Sequence, residues 1–404
     1  MEFNTLEDLD IQNKTIIVRV DINSPIDIET GEILDDARIQ KCSETLTELS
    51  EKNAKTVVIA HQGRPGGEDF TTLERHAEKM SKILDIEVDY IDDLFGPAAR
   101  KRISNLKPGN ILLLENARFY SEEILNRPAE EQAKTHLVKK LSPLADAFVN
   151  DAFAAAHRSQ PSLVGFGITL PVAAGRLMEK EIKELEKAKE PNHPCIYILG
   201  GAKVDDSLSL INHVLEKKIA DKVLTGGLVG QVLLASTSVD LGKPNMEIIK
   251  EKGYKKEIKR GEELLSEYGE KIMLPQDFRV EKSDKKAKNI SMEDLPSDYP
   301  VYDIGDKTVK DYKKEIKKAK TIVANGPLGV FEKSAFAKGT NKILRAIANS
   351  NAFTTIGGGH LVAAAKDQDI TEKISHVSTG GGACLNFLSG EKLPVIEMLK
   401  ESAK

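Results

Sequence analysis

Seven side chains in the first half of this chain carry groups suited to gripping a small polyanion: Asp21, Asn23, His61, Arg64, Arg118, His157 and Arg158, each just after a short apolar run. Arg38, in the separate segment DDARIQ, joins them. Arginine is a planar, permanently charged fork that matches carboxylate and phosphate oxygens, so several forks meeting in one place suit a small acid bearing both. Taken singly, each is an ordinary surface charge; the shared position after apolar runs sets them apart. The second half puts glycines at the equivalent points: Gly200, Gly201, Gly226, Gly227, Gly326, Gly329, the triplet 357–359 and the triplet 380–382. Glycine lets backbone N–H groups approach phosphate oxygens, and a following helix adds the positive end of its dipole. One Gly-Gly alone reads equally as a tight turn. Lys203, in GGAK, is the one cation in this glycine-rich set and is placed to follow a transferring phosphoryl group, or else is an exposed lysine at a helix start. The chain has no G-x-x-x-x-G-K-[ST] loop and no G-x-G-x-x-G fingerprint, so the phosphate cradle is of another kind. Neither a G-x-S-x-G elbow nor an H-E-x-x-H helix supports hydrolysis or zinc chemistry.

These residues need elements to hold them. The apolar runs are TIIVRVDIN (15–23), TVVIAHQGR (56–64), ILLLENARF (111–119) and DAFVNDAF (146–153) in the first half. CIYILGGAK (195–203), DKVLTGG (221–227), KIMLPQD (271–277), TIVANGP (321–327) and FTTIGGG (353–359) follow in the second. Short runs separated by helix-like stretches predict parallel sheets buried on both faces, with ligands beyond the carboxyl ends of the strands. A length of 404 residues exceeds what one core supports, so two domains are expected. EKEIKELEKAKEPNHP (179–194) reads as a helix connecting them or as an ordinary surface helix, and EKSDKKAKNISMEDLPSD (281–298) as a mobile charged loop.

The net charge of -5 offers no general attraction to nucleic acid or an anionic membrane, so an anion must be held by a local cluster. Cys42, Cys195 and Cys384 lie too far apart for a paired framework or a CxxC metal site, which fits a reducing cytoplasm. The acidic N-terminus MEFNTLEDLD lacks the pattern of an export signal, and no apolar run approaches the roughly 18 to 20 residues of a membrane span.

Eight motifs in order, VRVDINSP (18–25), HQGRP (61–65), ENARF (115–119), DAFAAAHRS (151–159), GGAKV (200–204), ANGPLGVFE (324–332), TIGGG (355–359) and HVSTGGGA (376–383), resemble the phosphoglycerate kinase family over essentially the whole chain, in its archaeal-type branch. The resemblance implies two Rossmann-like three-layer α/β domains facing a cleft: 1–172 for 3-phosphoglycerate, 173–390 for nucleotide, and a tail, 391–404, packing back on the first. It implies reversible transfer between 1,3-bisphosphoglycerate and ADP, giving 3-phosphoglycerate and ATP, with Mg2+ held mainly by nucleotide phosphates. By motif, Asp21, Ile22, Asn23, Arg38, His61, Gln62, Gly63, Arg64, Arg118 and Arg158 would bind the triose acid. Gly226, Gly227, Asn325, Glu332, Gly358, Gly359, His360 and Leu361 would bind nucleotide, and Arg38 and Lys203 would be catalytic. The implied partners are these two small molecules, with no nucleic acid and no membrane, in a monomer or small homo-oligomer. Cleft closure is expected, with His376 and Glu179 to Glu181 as hinge elements.

Three departures stand out. Ser207 replaces a second lysine four positions after Lys203, His360 and Leu361 replace an aspartate and a threonine, and Gln160 and Pro161 alter the AHRAHAS pattern. The sequence names no protein ligand for the metal. Two rival readings follow from the same residues: a kinase for another acyl phosphate, and a catalytically silent nucleotide- or anion-binding protein.

Overall fold

The structure is a computed structural model that describes residues 2–283 and 285–403. It divides into two compact units, Met1–Lys183 with Lys392–Lys404, and Glu184–Glu391.

In the first unit the apolar runs become β1 (Thr15–Val20), β2 (Lys55–Ile59), β3 (Val88–Ile91), β4 (Ile111–Leu114), β5 (Ala147–Asp151) and β6 (Val172–Ala174). They form one parallel sheet in the order β3-β4-β2-β1-β5-β6. All six residues of β1 are buried, as a central strand covered on both faces requires. The helix Ala37–Glu51 packs Ile39, Cys42, Leu46 and Leu49 into a core shared with Ile16, Val18 and Val58. The chain leaves β1 toward β2 on one side, and β5 returns to its other side. The carboxyl ends of these central strands flank the crevice in which open α/β sheets bind ligands.

The second unit repeats the plan with β7 (Cys195–Leu199), β8 (Lys222–Thr225) and β9 (Ile272–Met273), then an antiparallel trio, β10 (Asp277–Glu281), β11 (Ala287–Ser291) and β12 (Val301–Ile304). It closes with β13 (Thr321–Asn325), β14 (Phe353–Gly357) and β15 (His376–Val377). The six-stranded parallel sheet runs β15-β14-β13-β7-β8-β9, and its switch point lies between β7 and β13. Its core gathers Ile196, Ile198, Ile322, Ala324, Ile356, Leu344 and Tyr312.

Three expectations are revised. The first unit extends past residue 172 to Lys183, because Val172–Ala174 pairs with β5 as the edge strand of the first sheet. The division then falls inside the helix Arg176–Lys189, whose Ile182 and Leu185 are fully buried. The stretch 281–298 is not a loop throughout: it contains β11 and the single-turn helix Met292–Asp294, while Asp284 lies outside the described residues. Only Ile290 of β11 is buried, so the strand reads in sequence as a charged linker. The C-terminal helix Pro394–Ser402 belongs to the first unit, where Val395 N–H donates to the Ala156 carbonyl at 3.3 Å. Gly167 there has no room for a side chain, since a Cβ would stand 2.3 Å from Met398.

Candidate functional site

In the first unit, Asp21 and Asn23 follow β1, His61 to Arg64 follow β2, and Arg118 follows β4. The turn at Gly63 is the hub. Its N–H donates to Asn23 Oδ1 at 2.8 Å, and its carbonyl accepts the Arg118 guanidinium. Its φ is +67°, and a Cβ would meet the Asp69 carbonyl at 2.6 Å, so only glycine fits. Asn23 N–H in turn donates to Asp21 Oδ1 at 3.1 Å, and Arg38 donates to Asp21 Oδ2 at 2.5 Å. Burial alone would raise the Asp21 carboxyl, but the Arg38 and Arg19 guanidinium groups overcome that and hold it below the usual carboxylate range.

The arginines feel one another. Burial and the neighbouring Arg158 and Arg19 push Arg118 down to about 10, with Arg64 adding to the repulsion. Burial, Arg64 and Arg38 lower Arg158 in the same way. Both stay charged at neutral pH, so the cluster holds five guanidinium groups (Arg19, Arg38, Arg64, Arg118, Arg158) against two acidic side chains, Asp21 and Glu123. Such an excess is relieved by an incoming anion. Arg64 is exposed and Arg38 and Arg158 are half-buried, so solvent reaches the cluster from their side. Arg158 Nε also lies 3.3 Å from His157 Nε2.

Two residues proposed as triose ligands behave differently. The side chains of Ile22 and Gln62 are both fully buried. Ile22 belongs to the core. Gln62 fastens the loops together: Ser24 N–H donates to its Oε1 at 2.9 Å, and its Nε2 donates to the Ser24 carbonyl at 3.0 Å. Sequence reasoning passed over Arg19, Ser162 and Glu123, all fully buried. Arg19 did offer a signal, as a charge inside the apolar stretch that becomes β1.

The second unit builds differently. Gly200 N–H donates to the Asn325 carbonyl at 2.9 Å and Gly201 N–H to the Pro327 carbonyl at 2.7 Å. Gly226 and Gly227 donate to Leu199 and Leu328 at 3.0 and 2.9 Å. These four N–H groups are therefore consumed in packing three loops backbone to backbone at the switch point, and do not await a phosphate. A Cβ on Gly326, with φ at +76°, would stand 2.4 Å from the Gly200 carbonyl oxygen. Their glycines make close approach possible and leave a surface without side chains.

Among the described residues, the N–H groups open to an anion include those that begin the helix Gly359–Lys366. Gly358 caps it, and Gly359, His360 and Leu361 occupy its first turn, where no carbonyl one turn earlier can receive them. Gly359 and His360 are exposed; Leu361 is buried. Asn325, 8% exposed, sits beside this turn with its Nδ2 lacking any hydrogen-bond partner. A Cβ on Gly357 would meet that Nδ2 at 2.9 Å. Glu332 is exposed, 3.9 Å from His360 Nδ1, and Lys203 is exposed, 4.0 Å from Asp206. Ser207 is buried in the helix Val204–Glu216, so it provides no substitute cation.

The side chains at this turn do not fit a Mg2+ cage. Mg2+ takes hard oxygen ligands, whereas His360 offers imidazole nitrogen. Among the described residues no group of three or more His, Cys, Asp or Glu side chains converges on one point.

Comparison with known proteins agrees with this layout. The family model described as phosphoglycerate kinase matches residues 6–391. A phosphoglycerate kinase from Methanothermus fervidus is 52% identical over 100% of this chain and 98% of its own, and one from Methanococcus maripaludis 50% identical over 99% and 98%. The crystal structure of phosphoglycerate kinase from Pyrococcus horikoshii superposes with a TM-score of 0.93 at 47% identity, covering 99% of both chains. That of the Coxiella burnetii enzyme gives 0.82 at 32% identity, covering 100% of both. With the family model spanning nearly the whole length and relatives at half identity or better over full chains, the chain belongs to the phosphoglycerate kinase family.

Proposed function

We propose that the arginine cluster of the first unit holds the triose acid, and the helix-opening turn of the second holds the nucleotide phosphates, in the reaction of this family. That reaction is reversible phosphoryl transfer between 1,3-bisphosphoglycerate and ADP, giving 3-phosphoglycerate and ATP. The observation that carries the division is the five coupled guanidinium groups in one unit against an unpartnered Asn325 Nδ2 and open N–H groups in the other.

Arg64, Arg118 and Arg158 would take the phosphate and Asn23 the triose body, while Asp21 orients Arg38 through their ion pair. Glu332 would accept from the ribose hydroxyls, and Gly226 and Gly227 would border the base. The side chain of Arg38 is 38% exposed and uses one nitrogen on Asp21, which leaves its other donors for the transferring group. Lys203, with its side chain 62% exposed, is the corresponding cation of the second unit.

In the direction of ATP consumption, a carboxylate oxygen of 3-phosphoglycerate attacks the γ-phosphorus in line. The new acyl P–O bond forms as the bond to the ADP oxygen breaks, and ADP departs with that electron pair. No general base is needed, because the attacking oxygen is already ionised. The protein must align two anions and neutralise the charge between them, which falls to Arg38 and Lys203. Mg2+, carried on the nucleotide phosphates, supplies further neutralisation when bound. The two ligands must meet for transfer, and solution scattering should show compaction only with both present; none in the ternary state would remove hinge closure at Glu179 to Glu181 and His376. No helix among the described residues is long and apolar enough to cross a membrane; Cys42, Cys195 and Cys384 are buried and far apart in the chain, which supports work in a reducing cytoplasm.

The direct test is ADP formation from ATP and 3-phosphoglycerate, with and without Mg2+, against acetate and aspartate as acceptors. Turnover restricted to 3-phosphoglycerate supports the reading; equal turnover with acetate contradicts it.

A further inference from the structure

We propose that Arg19 is a positioning residue which fixes His61 as its Nε2–H tautomer, so that the imidazole meets the triose acid as a neutral hydrogen-bond donor and not as a cation. This rests on the reading of His61 as a triose ligand.

The argument is one of donors and acceptors. Arg19 lies on β1 between Val18 and Val20 and is fully buried, so it cannot itself touch a ligand. Its Nε donates to Ser162 Oγ at 2.8 Å, its Nη1 to the Val20 carbonyl, and its Nη2 faces His61 Nδ1 at 2.9 Å. A guanidinium has donors only. Nδ1 must therefore accept, which leaves the ring proton on Nε2.

The arrangement is held from behind. Ser162 donates its hydroxyl and its N–H to Glu123, the latter at 3.1 Å, so the Ser162 oxygen lone pair is left to receive Arg19. The direction of every bond from Glu123 through Ser162 and Arg19 to His61 is thus set. The charged groups facing the ring agree with a neutral imidazole. Burial, Arg19, Arg118 and Arg158 oppose its protonation, Asp21 alone among them favours it, and the balance lies well below the usual histidine range. In a site already carrying five guanidinium groups, a neutral donor adds direction without adding repulsion.

The test begins with the substrate-free wild-type protein labelled with 15N-histidine. Long-range 1H–15N spectra should show one ring, identified by its loss in His61→Gln, with bare Nδ1 and protonated Nε2 from about pH 5 to about pH 8. An imidazolium pattern, or a proton on Nδ1, overturns the assignment. Arg19→Met should mix the tautomers and raise KM for 3-phosphoglycerate roughly tenfold, leaving KM for ATP unchanged. Arg19→Lys, which keeps one donor, should restore the tautomer. If Arg19→Met retains the wild-type pattern, Arg19 is not the cause. Should Arg19→Met fail to fold, the wild-type spectrum and Arg19→Lys still decide. An unchanged KM for 3-phosphoglycerate in His61→Gln, with the expected wild-type spectrum, would remove the triose reading and leave the tautomer standing.

Discussion

The two units offer an anion opposite means of binding. The first commits side chains: guanidinium groups brought together, two of them tethered within the cluster, Arg38 by Asp21 and Arg118 by the Gly63 carbonyl. The second relies more on backbone: glycine loops packed loop against loop, beside the opening turn of the helix Gly359–Lys366, with Lys203 and Glu332 as exposed side chains in the same unit. The contrast suits the ligands. A small acid with two charged ends is best read by forks of fixed geometry, and a polyphosphate by N–H groups that ask only for oxygen. It also predicts that damage will differ: side-chain losses in the first unit should cost binding or rate, and glycine losses in the second should cost folding.

The largest effects should come where charge acts at transfer. Arg38→Ala and Lys203→Ala are each expected to lower kcat by about 10²- to 10³-fold, with KM for ATP changed far less. Steady-state kinetics with both substrates checks this, and near-normal turnover in either variant would send the catalytic role elsewhere. Gly326→Ala comes next. With positive φ and a Cβ 2.4 Å from a backbone oxygen, it should destabilise the second unit by about 3 kcal/mol or more, visible by calorimetry. A normal thermogram would break the claim that these glycines exist for close packing. Arg64→Ala, at an exposed position, should raise KM for 3-phosphoglycerate about tenfold and leave Tm unaltered.

A last effect concerns Asp151, buried at the carboxyl end of β5 in the first sheet. Burial raises the Asp151 carboxyl to about 7, against N–H donation from Met178, and its Oδ2 has no partner. The folded state then keeps a proton that the unfolded chain has lost above about pH 4, so this group favours folding below that pH and the advantage fades as pH rises to 7. Asp151→Asn should flatten the decline in Tm over that window. An unchanged slope would mean that Asp151 is ionised when folded.

Much of the fold could be read from the sequence, because buried parallel strands are written as unbroken apolar runs. Val88–Ile91, Val172–Ala174, His376–Val377, β10 and β12 do not stand out as strands because they are short or interrupted by charge, and β11 because its single buried residue gives no period. The site was legible as residue types after strands. What each residue does there was not. Nothing in the letters separates Gln62, fully buried as a fastener, from its neighbour Arg64, open to solvent. Nor do they say that the N–H groups of Gly200 and Gly201 are already spent on carbonyls across the switch point. Such assignments depend on partners far apart in the chain, and only the fold supplies them.

The division of labour is tested most directly by hydrogen–deuterium exchange with each ligand alone. 3-Phosphoglycerate should slow exchange in segments holding His61 to Arg64, Arg118 and Arg158, and leave Gly358 to Leu361 unchanged; Mg2+–ADP should do the reverse. Protection of the glycine turn by 3-phosphoglycerate alone, or of the arginine segments by nucleotide alone, would contradict the account.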